Sequence, residues 1–135
     1  MIRNAQSQFG VGPFQQKITV GNFQLLADIE EASGGANTGP SPHEYLAAAL
    51  ASCTSMTLKM YAGRKAMNLT NAIVTVHIER EDDIEKFNRD IQLFGELKEE
   101  EKQRLLEIAN KCPIHKALTG EIQIKTQLVD RKSVV

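Results

Sequence analysis

The chain is short of several things at once, and each shortage narrows what it does. It has only two cysteines, Cys53 and Cys112, so it forms one internal disulfide or none. It has no excess of basic charge: 16 Lys and Arg stand against 17 Asp and Glu, which argues against nucleic acid and against any partner chosen by bulk charge. It has no long apolar run. The longest stretch without a charge, residues 45–58, is too short to cross a bilayer, and the opening MIRNAQSQFGVGPF lacks the apolar segment of a secretion signal. A cytoplasmic protein with reduced thiols is therefore expected, with no membrane partner. Internal repeats and low-complexity linkers are also missing, so residues 1–135 read as one domain. A domain of that length buries roughly two-thirds of the surface its unfolded chain exposes.

What is present alternates between strand and helix signals. Phe14, Gln16, Ile18 and Val20 alternate with Gln15, Lys17 and Thr19. After Gly21-Asn22 a second run places Phe23, Leu25, Ala27 and Ile29 on one face, which predicts an antiparallel hairpin. The stretch ASGGANTGPSP, residues 32–42, is a loop by composition. Ser41, Pro42 and Glu44 then occupy the N-cap, N1 and N3 positions of a capping box, and a helix is predicted from 42 to about 62. Its segment YLAAALASCTSMTL carries no charge and is apolar or small all round, so it should be buried on every side. One sheet from so short a chain covers one side, and the same surface of a second subunit is the simplest cover for the other. A homodimer is the expectation.

Beyond Gly63, Val74, Val76 and Ile78 form one face of a strand, and after Asp82-Asp83 a partner run turns Phe87, Ile91 and Leu93 inward. Residues 98–111 predict a helix with acids in its first turn and a stripe of Leu105, Ile108, Ala109 and Cys112. Pro113 opens a further turn, PIHKAL, stopped by Gly120, and Ile122, Ile124, Thr126 and Leu128 predict a last strand. The expected order is ββαββααβ, an α+β domain.

Neither cysteine falls in a loop. Cys53 lies mid-helix, and Cys112 closes a helix just before Pro113. Each alone reads first as a small buried hydrophobe rather than a reactive thiol. If the two meet in the fold, the natural chemistry is that of a redox pair.

The segments GPSPHEYLAAALASCTSMTLKMYAGRK and ANKCPIHKALTG, taken together, resemble the OsmC/Ohr family of osmotically induced and organic-hydroperoxide-resistance proteins, and most closely its broad OsmC-like branch. The resemblance spans nearly the whole chain. It implies an intertwined dimer whose central helices are wrapped by antiparallel sheets, with active sites at the subunit interface. It also implies a thiol-dependent peroxidase with no bound cofactor. Cys53 would attack the distal oxygen of an organic hydroperoxide, Cys112 would resolve the resulting sulfenic acid, and an external dithiol such as a lipoyl group would reduce the disulfide. The alternative is a stress or binding protein holding a small apolar ligand on the same scaffold.

The chain departs from the founding members in one respect. They carry an arginine near the end of the early hairpin region that contacts the thiolate, held by a glutamate ten residues before the first cysteine. Here no arginine lies between Arg3 and Arg64, and the position ten before Cys53 is His43, with Glu44 beside it. A thiol in an apolar mid-helix setting has a raised pKa, so Cys53 needs a cation or hydrogen-bond donor from elsewhere. Glu44 stands about 180° around the helix from Cys53 and roughly 13 Å along it, so contact within one chain is excluded. Its bland role is the capping box. His43 is a candidate proton carrier or a solvated first-turn histidine, and His115 either faces the Cys112 sulfur or packs as a partly buried ring. His77 is expected to be structural. Two cysteines with His43 and His115 match zinc in ligand type but lack the short cysteine spacing of structural sites, so no metal is expected. Leu46, Leu50, Met56 and Met60 are the predicted apolar walls of a substrate pocket.

Overall fold

A computed structural model describes residues 1–129. The strands are β1 (Ala5–Phe9), β2 (Gln16–Val20), β3 (Phe23–Ala27), β4 (Asn71–Glu81) and β5 (Ile84–Phe94), and the helices are α1 (Pro42–Arg64), α2 (Glu99–Ala109) and α3 (Pro113–Thr119). The fold is α+β, with antiparallel sheets as expected. β1, β2 and β3 form one sheet in that order, and β4 pairs with β5 in a second. The hairpin turns follow local chemistry. Gly21 opens the β2–β3 turn at φ 60°, and Asp82 and Asp83 close β4–β5 at φ 50° and 66°, the left-handed pair that matches strand twist.

The element order differs from expectation at both ends. β1 was not anticipated, and it pairs with β2 from Ala5 opposite Val20 to Phe9 opposite Gln16. Its residues, AQSQF, have no apolar alternation, so ladder hydrogen bonds rather than burial define it and periodicity has nothing to detect. The final strand anticipated at Ile122–Leu128 is not formed: residues 121–129 have no strand partner, and Ile124 and Leu128 are exposed. An alternating pattern states a strand's faces but cannot supply the neighbour to which it must bond.

Helix α1 begins with the capping box read from the sequence. The Glu44 amide donates to Ser41 Oγ at 3.2 Å, and Glu44 Oε1 accepts from the Ser41 amide at 2.8 Å. The loop before it is pinned by buried Asp28, which accepts from the Thr38 hydroxyl, the Thr38 amide and the Ile29 amide. Those bonds, the Thr38 hydroxyl foremost, hold the Asp28 carboxyl below its usual range. Along α1 only Leu50, Thr54, Leu58 and Ala62 are buried, one residue per turn on the side facing β4, α2 and α3. Within one chain the all-round burial expected of this helix is therefore not met, and Leu46, Met56 and Met60 are exposed. The core joins Leu58 and Ala62 to Leu105, Ile108 and Ala109, with Ile91 and Leu93 of β5 packed against it. No helix among the described residues is long and apolar enough to cross a membrane.

Candidate active site

The two cysteines meet where α1 crosses the junction of α2 and α3. Thr54 lies on the buried stripe of α1, and Cys53, one residue earlier and about 100° round the helix, is only partly covered. Cys112 is the N-cap residue of α3 and is fully buried. The thiols are close enough to influence each other's ionisation.

Their surroundings are unequal. Burial pushes the Cys53 thiol up, its neighbour Cys112 adds to the rise, and the Ile114 amide opposes it without prevailing. Burial also pushes the Cys112 thiol up, but here it is outweighed. The His115 amide donates to Cys112 Sγ at 3.2 Å, Thr54 Oγ1 lies 3.8 Å from the same sulfur, and Cys53 and Arg89 add to the effect, so the thiol is held below its ordinary value. Stabilising donors favour the charged form.

Arg89 organises this corner. Its Nη1 donates to Thr54 Oγ1 at 3.0 Å and to the Ala109 carbonyl at 3.3 Å, and its Nη2 donates to Asn110 Oδ1 at 2.8 Å. The same Nη2 lies 3.1 Å from His115 Nδ1. A guanidinium only donates, so that ring nitrogen must accept and the imidazole proton sits on Nε2. Burial, then the charge of Arg89, holds the His115 ring below its usual pKa. None of the four partners of Arg89 is a carboxylate. Sequence reasoning missed this residue, although a signal existed: Arg89 occupies the inward parity of β5 between Phe87 and Ile91. A charge on the apolar side of a strand needs a reason.

The remaining candidates fall elsewhere. His43 bonds Glu85 Oε1 on β5, which also pairs with Arg80, and the His43 bond is the main reason the Glu85 carboxyl is held low. Glu44 serves the capping box. Neither side chain reaches a sulfur within one chain. His77 pairs on the surface with Glu79. Among the described residues, no three His, Cys, Asp or Glu side chains converge as a metal site.

A cavity of about 570 Å³ adjoins the cluster, walled by Leu46, Leu50, Phe87, Ile91, Leu106 and Leu118, with Arg89 and His115 among its polar groups. Leu46 and Leu50 were expected there. Met56 and Met60 were too, but they do not line it, because they lie on exposed parts of α1. Cys112 stands behind Arg89 and His115, and neither cysteine is part of the wall.

The sequence pattern behind this arrangement, OsmC-like protein, matches over residues 34–127, well over half of the chain. The chain belongs to the OsmC-like family. No curated protein matches it. Among solved structures, the OsmC like protein from Mycoplasma pneumoniae superposes with a TM-score of 0.73 at 18% identity, covering 87% of each chain. The organic hydroperoxide resistance protein OsmC from Legionella pneumophila gives 0.67 at 20% identity, covering 89% of this chain and 90% of its own. OhrB, the organic hydroperoxide resistance protein of Bacillus subtilis, gives 0.60 at 22%, covering 93% and 96%. At these identities the likeness establishes the shared family fold, and chemistry has to be argued from this chain's own thiols.

Proposed function

We propose that this family member is a thiol-dependent redox protein that reduces organic hydroperoxides through Cys53 and Cys112, with an external dithiol such as a lipoyl group restoring the pair. The observation that carries the reading is the meeting of the chain's two cysteines where α1 crosses the junction of α2 and α3. Cys53 is the attacking sulfur because it is the one not sealed from approach. Its thiolate takes the distal oxygen, the O–O bond breaks, and the alkoxide leaves as an alcohol after gaining a proton from water. Cys112 then attacks the Cys53 sulfenic acid, an S–S bond replaces the S–O bond, and water departs. The apolar cavity beside the pair has no sulfur in its wall, so the preference for alkyl hydroperoxides over hydrogen peroxide rests on the uncharged stretch of α1 around Cys53, residues 45–58.

The test is intact mass and free-thiol count after one equivalent of tert-butyl hydroperoxide, with hydrogen peroxide in parallel. The expected result is rapid loss of two hydrogens and both thiols with the organic peroxide, and a stable sulfenic acid in Cys112→Ser. Turnover should vanish in Cys53→Ser. Persistence of both thiols for minutes would overturn the reading.

A second reading rests on the same cavity, since neither cysteine lines it. There the protein binds a small apolar ligand and the thiols are incidental. A ligand that raises the melting temperature of the Cys53→Ser, Cys112→Ser double variant as much as that of wild type would favour it. In either case we infer a cytoplasmic homodimer. The uncovered side of α1, with Leu46, Met56 and Met60, and the exposed Phe23, Leu25 and Leu26 of β3 are the surfaces a second copy would bury. A monomeric mass by light scattering at micromolar concentration would count against it.

A further inference from the structure

We propose that the disulfide is opened with a fixed polarity: a reducing thiol attacks the sulfur of Cys53, and Cys112 departs as a thiolate stabilised by the His115 amide and by Arg89 acting through Thr54. The proposal rests on the reading of Cys53 and Cys112 as a reversible pair, and it adds which sulfur the reductant meets and which residue positions the other.

Two independent features give the same direction. The first is access. Within one protomer Cys53 is partly exposed on α1, whereas Cys112 has no exposed surface; a second copy can narrow the approach to Cys53 but cannot expose Cys112, so an incoming thiol meets Cys53 first. The second is the fate of negative charge. Thiol–disulfide exchange is fastest when the departing sulfur is the better leaving group. Around Cys112 one donor is in place, the His115 amide at 3.2 Å, and the Thr54 hydroxyl oxygen lies 3.8 Å from the same sulfur. That hydroxyl has one hydrogen and now gives it to the Leu50 carbonyl at 2.7 Å, while its oxygen accepts from Arg89. When Cys112 becomes an anion, the hydrogen gains a charged acceptor beside it, and the guanidinium behind Thr54 polarises the O–H bond toward the sulfur.

Arg89 is suited to this because its other partners are neutral: the Ala109 carbonyl, the Asn110 amide and a neutral His115 ring. The carboxylate among the cavity walls, Glu85, is engaged by His43 and Arg80. The Cys112 thiolate is thus the natural counter-charge of this cation. The shift of Cys112 below its ordinary value agrees with that pairing.

A dithiol, with one sulfur ionised, forms an S–S bond to Cys53 as the Cys53–Cys112 bond breaks, and the bonding pair leaves on Cys112. The second thiol of the reductant loses its proton to solvent and closes on its own first sulfur, releasing Cys53 as a thiolate that regains a proton. The products are both cysteines reduced and a cyclic disulfide.

The first experiment uses wild-type protein oxidised with diamide, so that no peroxide is involved. It is reduced briefly with 2-mercaptoethanol, quenched with acid, alkylated with N-ethylmaleimide and mapped by peptide mass. The expected product carries the mercaptoethanol adduct on Cys53 and the maleimide on Cys112, in an excess of roughly tenfold or more. An adduct mainly on Cys112, or equally on both, overturns the proposal, as does failure of diamide to form the bond. Disulfide formation by diamide but not by tert-butyl hydroperoxide sinks the peroxidase reading and leaves this one standing.

The second experiment reads Arg89. In a Cys53→Ser background, Arg89→Gln should move the pH midpoint of the Cys112 thiolate's ultraviolet absorbance upward, and Arg89→Lys should restore part of the shift. A lower melting temperature with an unmoved midpoint would make Arg89 merely structural and overturn its part. Should Arg89→Gln fail to fold, Thr54→Val makes the same test on the relay.

Discussion

Cys53 and Cys112 are neighbours in space, yet the protein surrounds them differently. Cys53 sits among small and apolar side chains of α1, and its thiol is raised. Cys112 is deeper but is ringed by an amide, a hydroxyl and, beyond that, a guanidinium, and its thiol is lowered. Depth by itself would have made Cys112 the less acidic of the two. The difference teaches that burial disfavours a thiolate only while donors are absent, and that a few fixed hydrogen bonds reverse the order.

That contrast can be broken or sharpened by substitution. The largest effect is expected from Leu58→Ala, which removes a fully buried side chain from the core that joins α1 to α2 and should destabilise the fold by about 2–5 kcal/mol. Both thiols should then alkylate faster in the same proportion, because a cavity in the shared core does not distinguish them. Chemical denaturation with thiol labelling checks this, and acceleration confined to one thiol would mean that the two regions unfold separately.

Thr54→Val is smaller in stability but sharper in meaning. It leaves Arg89 Nη1 with the 3.3 Å bond to the Ala109 carbonyl and strips the hydroxyl from Cys112, with an expected loss of about 1–3 kcal/mol. The pH midpoint of thiolate absorbance should rise for Cys112, read in a Cys53→Ser background, while that of Cys53, read in Cys112→Ser, stays in place. Equal movement of both would show that the hydroxyl serves the pair rather than one member.

The smallest effect is in the pH dependence of stability. The Cys112 thiol is lowered in the folded protein, so the unfolded chain keeps that proton longer as pH rises, and stability increases from the folded value up to the ordinary thiol value. The Cys53 thiol is raised, so the folded chain keeps its proton longer, and stability falls between the ordinary value and the folded one. Cys112→Ser should therefore remove an alkaline gain and Cys53→Ser an alkaline loss. Urea midpoints from neutral to alkaline pH would show it, and slopes changing in the same direction would refute the contrast.

Much of the fold was legible because its signals are local. The capping box at Ser41 and Glu44, the Asp82-Asp83 turn, the Leu105, Ile108, Ala109 and Cys112 stripe, and Pro113 opening α3 each follow from a few adjacent residues. β1 was invisible because its sequence carries no periodicity, and the strand expected at Ile122–Leu128 is unformed for want of a neighbour to pair with. The arginine missing from the first hairpin illustrates the same divide. Its absence was plain in the sequence, but a guanidinium does arrive at the site, on β5, and it serves Cys112 rather than Cys53. The parity of Arg89 between Phe87 and Ile91 was readable, yet parity names a face of the strand and not what lies against it.

By itself, then, the sequence determined the helices, the hairpins, the two thiols and the family, since these depend on residue type and short spacing. Only the tertiary structure decided that Cys53 and Cys112 meet, that Thr54 and Arg89 stand beside the second of them, and that His43 goes to Glu85 instead. Ionisation depends on donors and charges a few ångströms away, and residues far apart in the chain reach that distance only when helices and sheet have packed.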